Sequence, residues 1–275
     1  MASQPQQVLP LFYNDLVPLS SIEHARWRIR AQDSVPHVAG AHAIPVTVDE
    51  FTVAQRNFPI IFSTGDNPVP LILMALNEGM NTFVGDDGKF TEQVYVPAYV
   101  RRYPFLLAKL RPDVDELSLC FDPTSEVIGQ FDEGEPLFEA ATDGEAAKPG
   151  EPVNRILQFC EQFEQAGART GQFMADLVEH KLLMDGEVAI QIDAQTQPFV
   201  YRGFQMVDET KLRDLRGDVL RKMMQSGMLP LIHAHLFSLS AMEELFRRQA
   251  QQGKLPGTPI PIAANAVPDA GRTDA

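Results

Sequence analysis

Sulfur chemistry is scarce in this chain: Cys120 and Cys160 are the only cysteines among 275 residues. Two thiols cannot make a disulfide framework or a zinc knuckle, and they suit buried positions in a reducing compartment. Positive charge is also short. The chain carries 23 Lys+Arg against 37 Asp+Glu, a formal net charge of −14. That balance argues against nucleic-acid binding, which needs a basic face, and against adsorption to anionic membranes. No apolar run reaches the length of a membrane span, and the longest, Pro70 to Leu76 and Phe105 to Leu110, are strand-sized. The N-terminal residues show neither a basic segment nor an apolar one, so no secretory signal is expected. These absences point to a soluble, cytoplasmic protein without membrane insertion.

Signatures of chemistry are missing as well. The sequence has no Gly-x-Ser-x-Gly elbow and no glycine-rich phosphate cradle, so no cofactor is implied. His233-Ala-His235 is the one metal-like spacing. On a helix, however, positions two apart lie about 200° around the axis, and both rings cannot reach one ion from the same face. His235 falls on a stripe with Leu231, Ser238, Met242 and Leu245 and is expected to face a core; no metal site is expected.

What is present is a dense segment, Tyr95-Val-Pro-Ala-Tyr-Val-Arg-Arg-Tyr-Pro-Phe105. Pro97 suits the first turn of a helix and Pro104 ends it, so the helix has about two turns or fewer. Tyr99, Arg102 and Tyr103 then share a face, and Arg101 points about 100° away from Arg102. Guanidinium forks take carboxylate or phosphate and stack on phenol rings. Tyr95, Tyr99, Arg101, Arg102 and Tyr103 are therefore the candidate binding residues, for a protein partner or a small anionic ligand. The structural alternative stays open: both arginines pair with internal carboxylates while the tyrosines fill core edges.

Short apolar runs joined by turns fill the first half. They are His24 to Arg30, Phe58 to Ser63, Pro70 to Leu76, a hairpin turning at Gly85-Asp-Asp-Gly88, Phe105 to Leu110 and Glu116 to Asp122. Thr47-Val-Asp-Glu50 has capping-box spacing and should start a helix through Gln55. From Arg111 to Glu151 twelve acidic residues meet only two basic ones, which reads as a solvated loop. Beyond Val153 the period turns helical, with Ile156, Cys160, Phe163, Ala166, Thr170, Phe173 and Leu177 on one stripe. Gly167 and Gly171 weaken its middle and suggest two helices. A second hairpin is expected from Glu187 to Phe204. Three further helices should follow: one capped by Asp208 and running through Leu215, one from Asp218 to Met224, and one opened by Pro230 and running to about Gln251. The expectation is an α+β fold, mainly antiparallel sheet in the N-terminal half and helical in the C-terminal half with one hairpin. Residues 1–130 form the mainly β region with the Tyr/Arg motif, 131–152 an acidic loop or linker, 153–251 a mainly helical region and 252–275 a disordered tail.

The runs Phe58-Pro-Ile-Ile-Phe62, Asn81-Thr-Phe-Val84, Tyr95 to Phe105, Gly203-Phe-Gln-Met-Val-Asp-Glu209 with Lys211-Leu212, and Ala234-His-Leu-Phe-Ser-Leu239 together resemble the SapC family of bacterial proteins. The resemblance covers roughly residues 8–250. It implies a surface-layer or nutrient-uptake setting and supplies no catalytic residues. The expected role is a non-catalytic accessory or interaction protein. The alternative is a small-anion, amino-acid or peptide binder, or an enzyme, with a pocket lined by Arg101, Arg102 and the tyrosines and with His233 or His235 as proton carrier.

Overall fold

A computed structural model describes residues 9–111, 116–139, 147–191 and 198–254. Residues 1–8, 112–115, 140–146, 192–197 and 255–275, which take in parts of the expected acidic loop, the expected turn of the second hairpin and most of the expected disordered tail, lie outside the described residues. In chain order the elements are β1 (Val17–Pro18), β2 (Arg28–Ile29), β3 (Ala43–Pro45), α1 (Phe51–Ala54), β4 (Ile60–Phe62), β5 (Pro70–Leu73), α2 (Ala98–Arg102) and β6 (Phe105–Lys109). They continue with β7 (Leu117–Phe121), β8 (Ile128–Gly129), β9 (Glu135–Pro136), α3 (Glu151–Glu179), β10 (Leu183–Ile190), β11 (Phe199–Val207), α4 (Glu209–Arg213), α5 (Gly217–Ser226), α6 (Met228–Ser238) and α7 (Ala241–Gln251). The fold is α+β, with antiparallel sheet mainly in the N-terminal half and helices in the C-terminal half. No helix among the described residues is long and apolar enough to cross a membrane.

The chain divides into two compact units that interleave along the sequence. Of the described residues, 9–33 and Val100–Gln165 belong to the first, and Ser34–Tyr99 with 166–254 to the second. The first unit holds two small antiparallel sheets, ordered β1-β7-β6 and β8-β2-β9. Its core gathers Phe105, Phe121, Ile128, Leu137, Val153 and Cys160, with Trp27 half-buried against them. The strand expected from His24 to Arg30 shrinks to Arg28–Ile29. Turns at its start, His24 N–H to the Ser20 carbonyl and Trp27 N–H to the His24 carbonyl, keep the preceding residues out of any ladder.

The second unit is built on a five-stranded sheet ordered β10-β11-β4-β5-β3. Ile60 pairs with Ile72, Ile61 with Leu71 and Phe62 with Pro70. All of β4 and β5 is buried, so both faces of this part of the sheet are covered, which is why these strands read as unbroken apolar runs. Helix α6 meets the backbone of β4 directly. The Ile60 N–H donates to Ser238 Oγ at 2.8 Å, and His235 Nδ1–H donates to the Ile60 carbonyl at 2.8 Å. The other ring nitrogen, Nε2, accepts from the Val207 N–H at 3.1 Å, which fixes the tautomer.

Four expectations need correcting. The stripe beyond Val153 belongs to one 29-residue helix, α3, and not two. Gly167 and Gly171 face open space, so each costs the helix only its own propensity. The last helix is instead divided into α6 and α7. The Ser238 and Ser240 hydroxyls donate to the His235 and Phe237 carbonyls three residues back, and the Leu239 and Ser240 N–H groups follow the same i−3 pattern, which tightens the turn and ends α6. The hairpin at Gly85–Gly88 is a tight turn closed by a single bridge, Val84 to Phe90, and not a pair of strands. Asp208 does cap α4, its carboxylate accepting from the Thr210 and Lys211 N–H groups, but the helix stops at Arg213, short of Leu215.

Candidate functional site

The segment Tyr95 to Phe105 crosses the boundary between the units, which falls after Tyr99 inside α2. Its first part is anchored within the second unit by one carboxylate. Glu50, 5% exposed, accepts from the Thr47 N–H and hydroxyl through Oε2 and from the Tyr95 hydroxyl and the Ala98 N–H through Oε1. The Thr47/Glu50 capping box thus also holds the start of α2. Tyr95 is half-buried and Tyr99 is buried, so the phenol groups here serve anchoring and packing.

The remaining motif residues sit in the first unit in unlike surroundings. Arg101 is exposed, its guanidinium 5.1 Å from the Phe159 ring centre. Arg102 is 6% exposed and lies 4.3 Å over the Phe163 ring, with a guanidinium nitrogen 3.7 Å from Glu164. Burial pushes the Glu164 carboxyl above the usual carboxylate range, and the Arg102 charge opposes that shift. Tyr103 is buried edge-on against Tyr13, and burial with the neighbouring Asp122 charge raises its phenol pKa. It precedes a cis peptide bond to Pro104. The 100° offset between adjacent helical positions therefore separates an outward arginine from an inward one.

An open groove of about 370 Å³ lies alongside. Its cationic residues are Arg101 and Arg102 from α2, Arg30 just after β2, and Arg155 from the first turns of α3. Apolar groups complete it, chiefly Ile29, Phe105, Val127, Ile156 and Phe159. Among the described residues no carboxylate lines it. Arg155, Ile156, Phe159 and Cys160 reach it together because helical positions four apart share a face. Arg30 is held by its N–H bond to the Val127 carbonyl at 2.8 Å, and its guanidinium stacks 3.6 Å over the Phe131 ring. Among the described residues no carboxylate stands within salt-bridge distance of Arg30. Arg155 is bound by Glu151 at 3.0 Å and Glu135 at 2.8 Å, all three exposed.

Sequence reasoning missed Arg30 and Arg155 as companions of Arg101. The alternation of bulky and basic residues in Arg26-Trp-Arg-Ile-Arg30 was the available signal, since it places Arg28 and Arg30 on one side of a strand. The histidines stand elsewhere. His235 is fully buried with both ring nitrogens committed to backbone groups, and burial pushes its pKa down to about 4. His233 Nδ1–H donates to the Leu229 carbonyl at 2.8 Å, and among the described residues no histidine lines the groove. Burial holds the Cys160 thiol at a pKa of about 12, so this groove thiol stays protonated. Among the described residues no group of three His, Cys, Asp or Glu side chains is arranged to hold a metal ion.

A family model described as SapC matches residues 19–245, from before β2 to the middle of α7. Neither the search of curated proteins nor that of solved structures finds a match. The match takes in most of the chain, including every residue of the groove, and the chain belongs to the SapC family.

Proposed function

We propose that this chain is a binding protein, without catalysis of its own, that recognises an anionic group in the arginine-lined groove. One observation carries the reading. In a chain of net charge −14, four guanidinium groups and, among the described residues, no carboxylate line one concave surface. Glu164, Glu135 and Glu151 offset the charges of Arg102 and Arg155 in part, and the excess of guanidinium groups along the lining favours the opposite charge. Arginine suits the task because its planar fork makes two parallel bonds to a carboxylate or phosphate. Stacking on Phe131 and Phe159 holds two of the forks in place before a ligand arrives, which lowers the entropy lost on binding. The protonated Cys160 and the lack of histidine in the lining favour recognition over acid–base or nucleophilic chemistry. An accessory role in a surface-layer or nutrient-uptake setting is compatible with this chemistry.

The test is calorimetric titration at low ionic strength with acetate, citrate, inorganic phosphate and 3-phenylpropionate. Saturable binding of at least one of them to the wild-type chain is expected, with loss in Arg30→Ala/Arg101→Ala. Equal heats from wild type and variant, or no binding of any of the four, would overturn the reading.

A further inference from the structure

The groove is lined by two kinds of side chain, and both constrain what it holds. Its cations include Arg30 and Arg101, exposed residues whose guanidinium groups lie 3.6 Å from the Phe131 ring centre and 5.1 Å from the Phe159 ring centre. Arg102 and Arg155 are already engaged by Glu164 and by Glu135 and Glu151. Much of the remaining lining is carbon: Ile156 and Phe159 from α3, Val127 just before β8 and Ile29 on β2. Inorganic anions would leave that carbon surface uncovered, whereas an apolar body fixed to the anion would cover it.

Size and strand order limit the ligand further. At about 370 Å³ the groove lies near the lower end of the range for small-molecule sites. An extended peptide gains affinity by pairing with an open strand edge. Here β2, the strand that brings Ile29 and Arg30 to the groove, is the middle strand of its sheet and is paired on both sides, with β8 and with β9. No edge of that strand is left for a peptide to extend.

We infer that the groove takes a small monocarboxylic acid with an apolar or aromatic body, its carboxylate on Arg30 and Arg101 and its body against Val127, Ile156 and Phe159. The inference rests on the anion-binding reading above and names the ligand class for that site. A single negative charge fits Arg30, for which no salt bridge to a carboxylate is found among the described residues.

Calorimetry on the full-length chain separates the possibilities. The probes are 3-phenylpropionate, its primary amide, acetate, inorganic phosphate and an N-acetylated tetrapeptide ending in phenylalanine with a free C-terminus. 3-Phenylpropionate is expected to bind at least tenfold more tightly than acetate or phosphate, and the amide not measurably. Ile156→Ser should weaken 3-phenylpropionate at least tenfold while changing acetate less than twofold. In case that variant unfolds, Val127→Ser is a second variant with the same expected direction. Equal affinity for 3-phenylpropionate, acetate and phosphate would overturn the ligand class and leave simple anion binding standing. A tetrapeptide that binds ten times better than 3-phenylpropionate would overturn it in favour of a protein terminus. Failure of every anion would overturn the underlying reading as well.

Discussion

Arg101 and Arg102 are neighbours on a five-residue helix, yet their energetic roles should differ sharply. Arg101 is exposed, and its truncation should change stability by no more than about 0.5 kcal/mol, as for other surface substitutions. Arg102 is buried over Phe163, and Glu164 beside it is itself three-quarters covered. Removing the guanidinium strands that carboxylate and opens a gap, so Arg102→Ala should cost about 2–3 kcal/mol in urea denaturation. Comparable losses from the two variants would contradict these assignments. His235 gives a second prediction at this scale. Its folded pKa of about 4 lies below the ordinary 6.5, so the unfolded chain takes up the proton first as the pH falls. The stability tied to neutral His235 is therefore complete above pH 6.5 and drains away down to pH 4, by roughly 3 kcal/mol in all. His37 shifts the same way for the same reason. Urea midpoints recorded between pH 7 and 4 should fall less steeply in His235→Gln; an unchanged slope would contradict the burial of a neutral ring.

Glycines in two elements make opposite demands, and the contrast tests the element boundaries. In α3 a methyl group at Gly167 or Gly171 would meet no atom within 4 Å. Gly171→Ala should then stabilise the chain by about 0.5–1 kcal/mol through helix propensity and a less flexible unfolded state. In β10 a methyl at Gly186 would lie 2.2 Å from the Phe204 ring, beside the register shift between Asp185 and Glu187. Phe204 is 1% exposed and has nowhere to go, so Gly186→Ala should destabilise by about 1–3 kcal/mol. Thermal melts of the two variants decide both points. Much of this level was legible in the sequence. The 3.6-residue stripe marked α3, continuous apolar runs marked β4 and β5, and Thr47 and Asp208 marked helix starts. Less legible were the features set by tertiary contact. The side chains of Ser238 and Ser240 end α6 without any glycine or proline to announce it. β2 is two residues long because turns formed upstream claim its neighbours.

Across the whole molecule, the acidic balance of the sequence argued correctly for scarcity of positive charge but could not show where that charge collects. Arg30, Arg101 and Arg155 are far apart along the chain, and only folding brings them to one surface. The helical offset between Arg101 and Arg102 could be read from spacing alone. Which of the two faces outward could not, because that depends on Phe163 and Glu164 from α3. The two interleaved units were equally hidden, since each draws on separate stretches of sequence. The account as a whole depends on the groove being a receptor for negative charge. The most direct measurement is calorimetric titration of 3-phenylpropionate into the wild-type chain and into Arg30→Ala/Arg101→Ala, with urea midpoints recorded for both. Single-site binding that falls at least tenfold in the variant, at an unchanged midpoint, is expected. Identical affinity in the two proteins would contradict it.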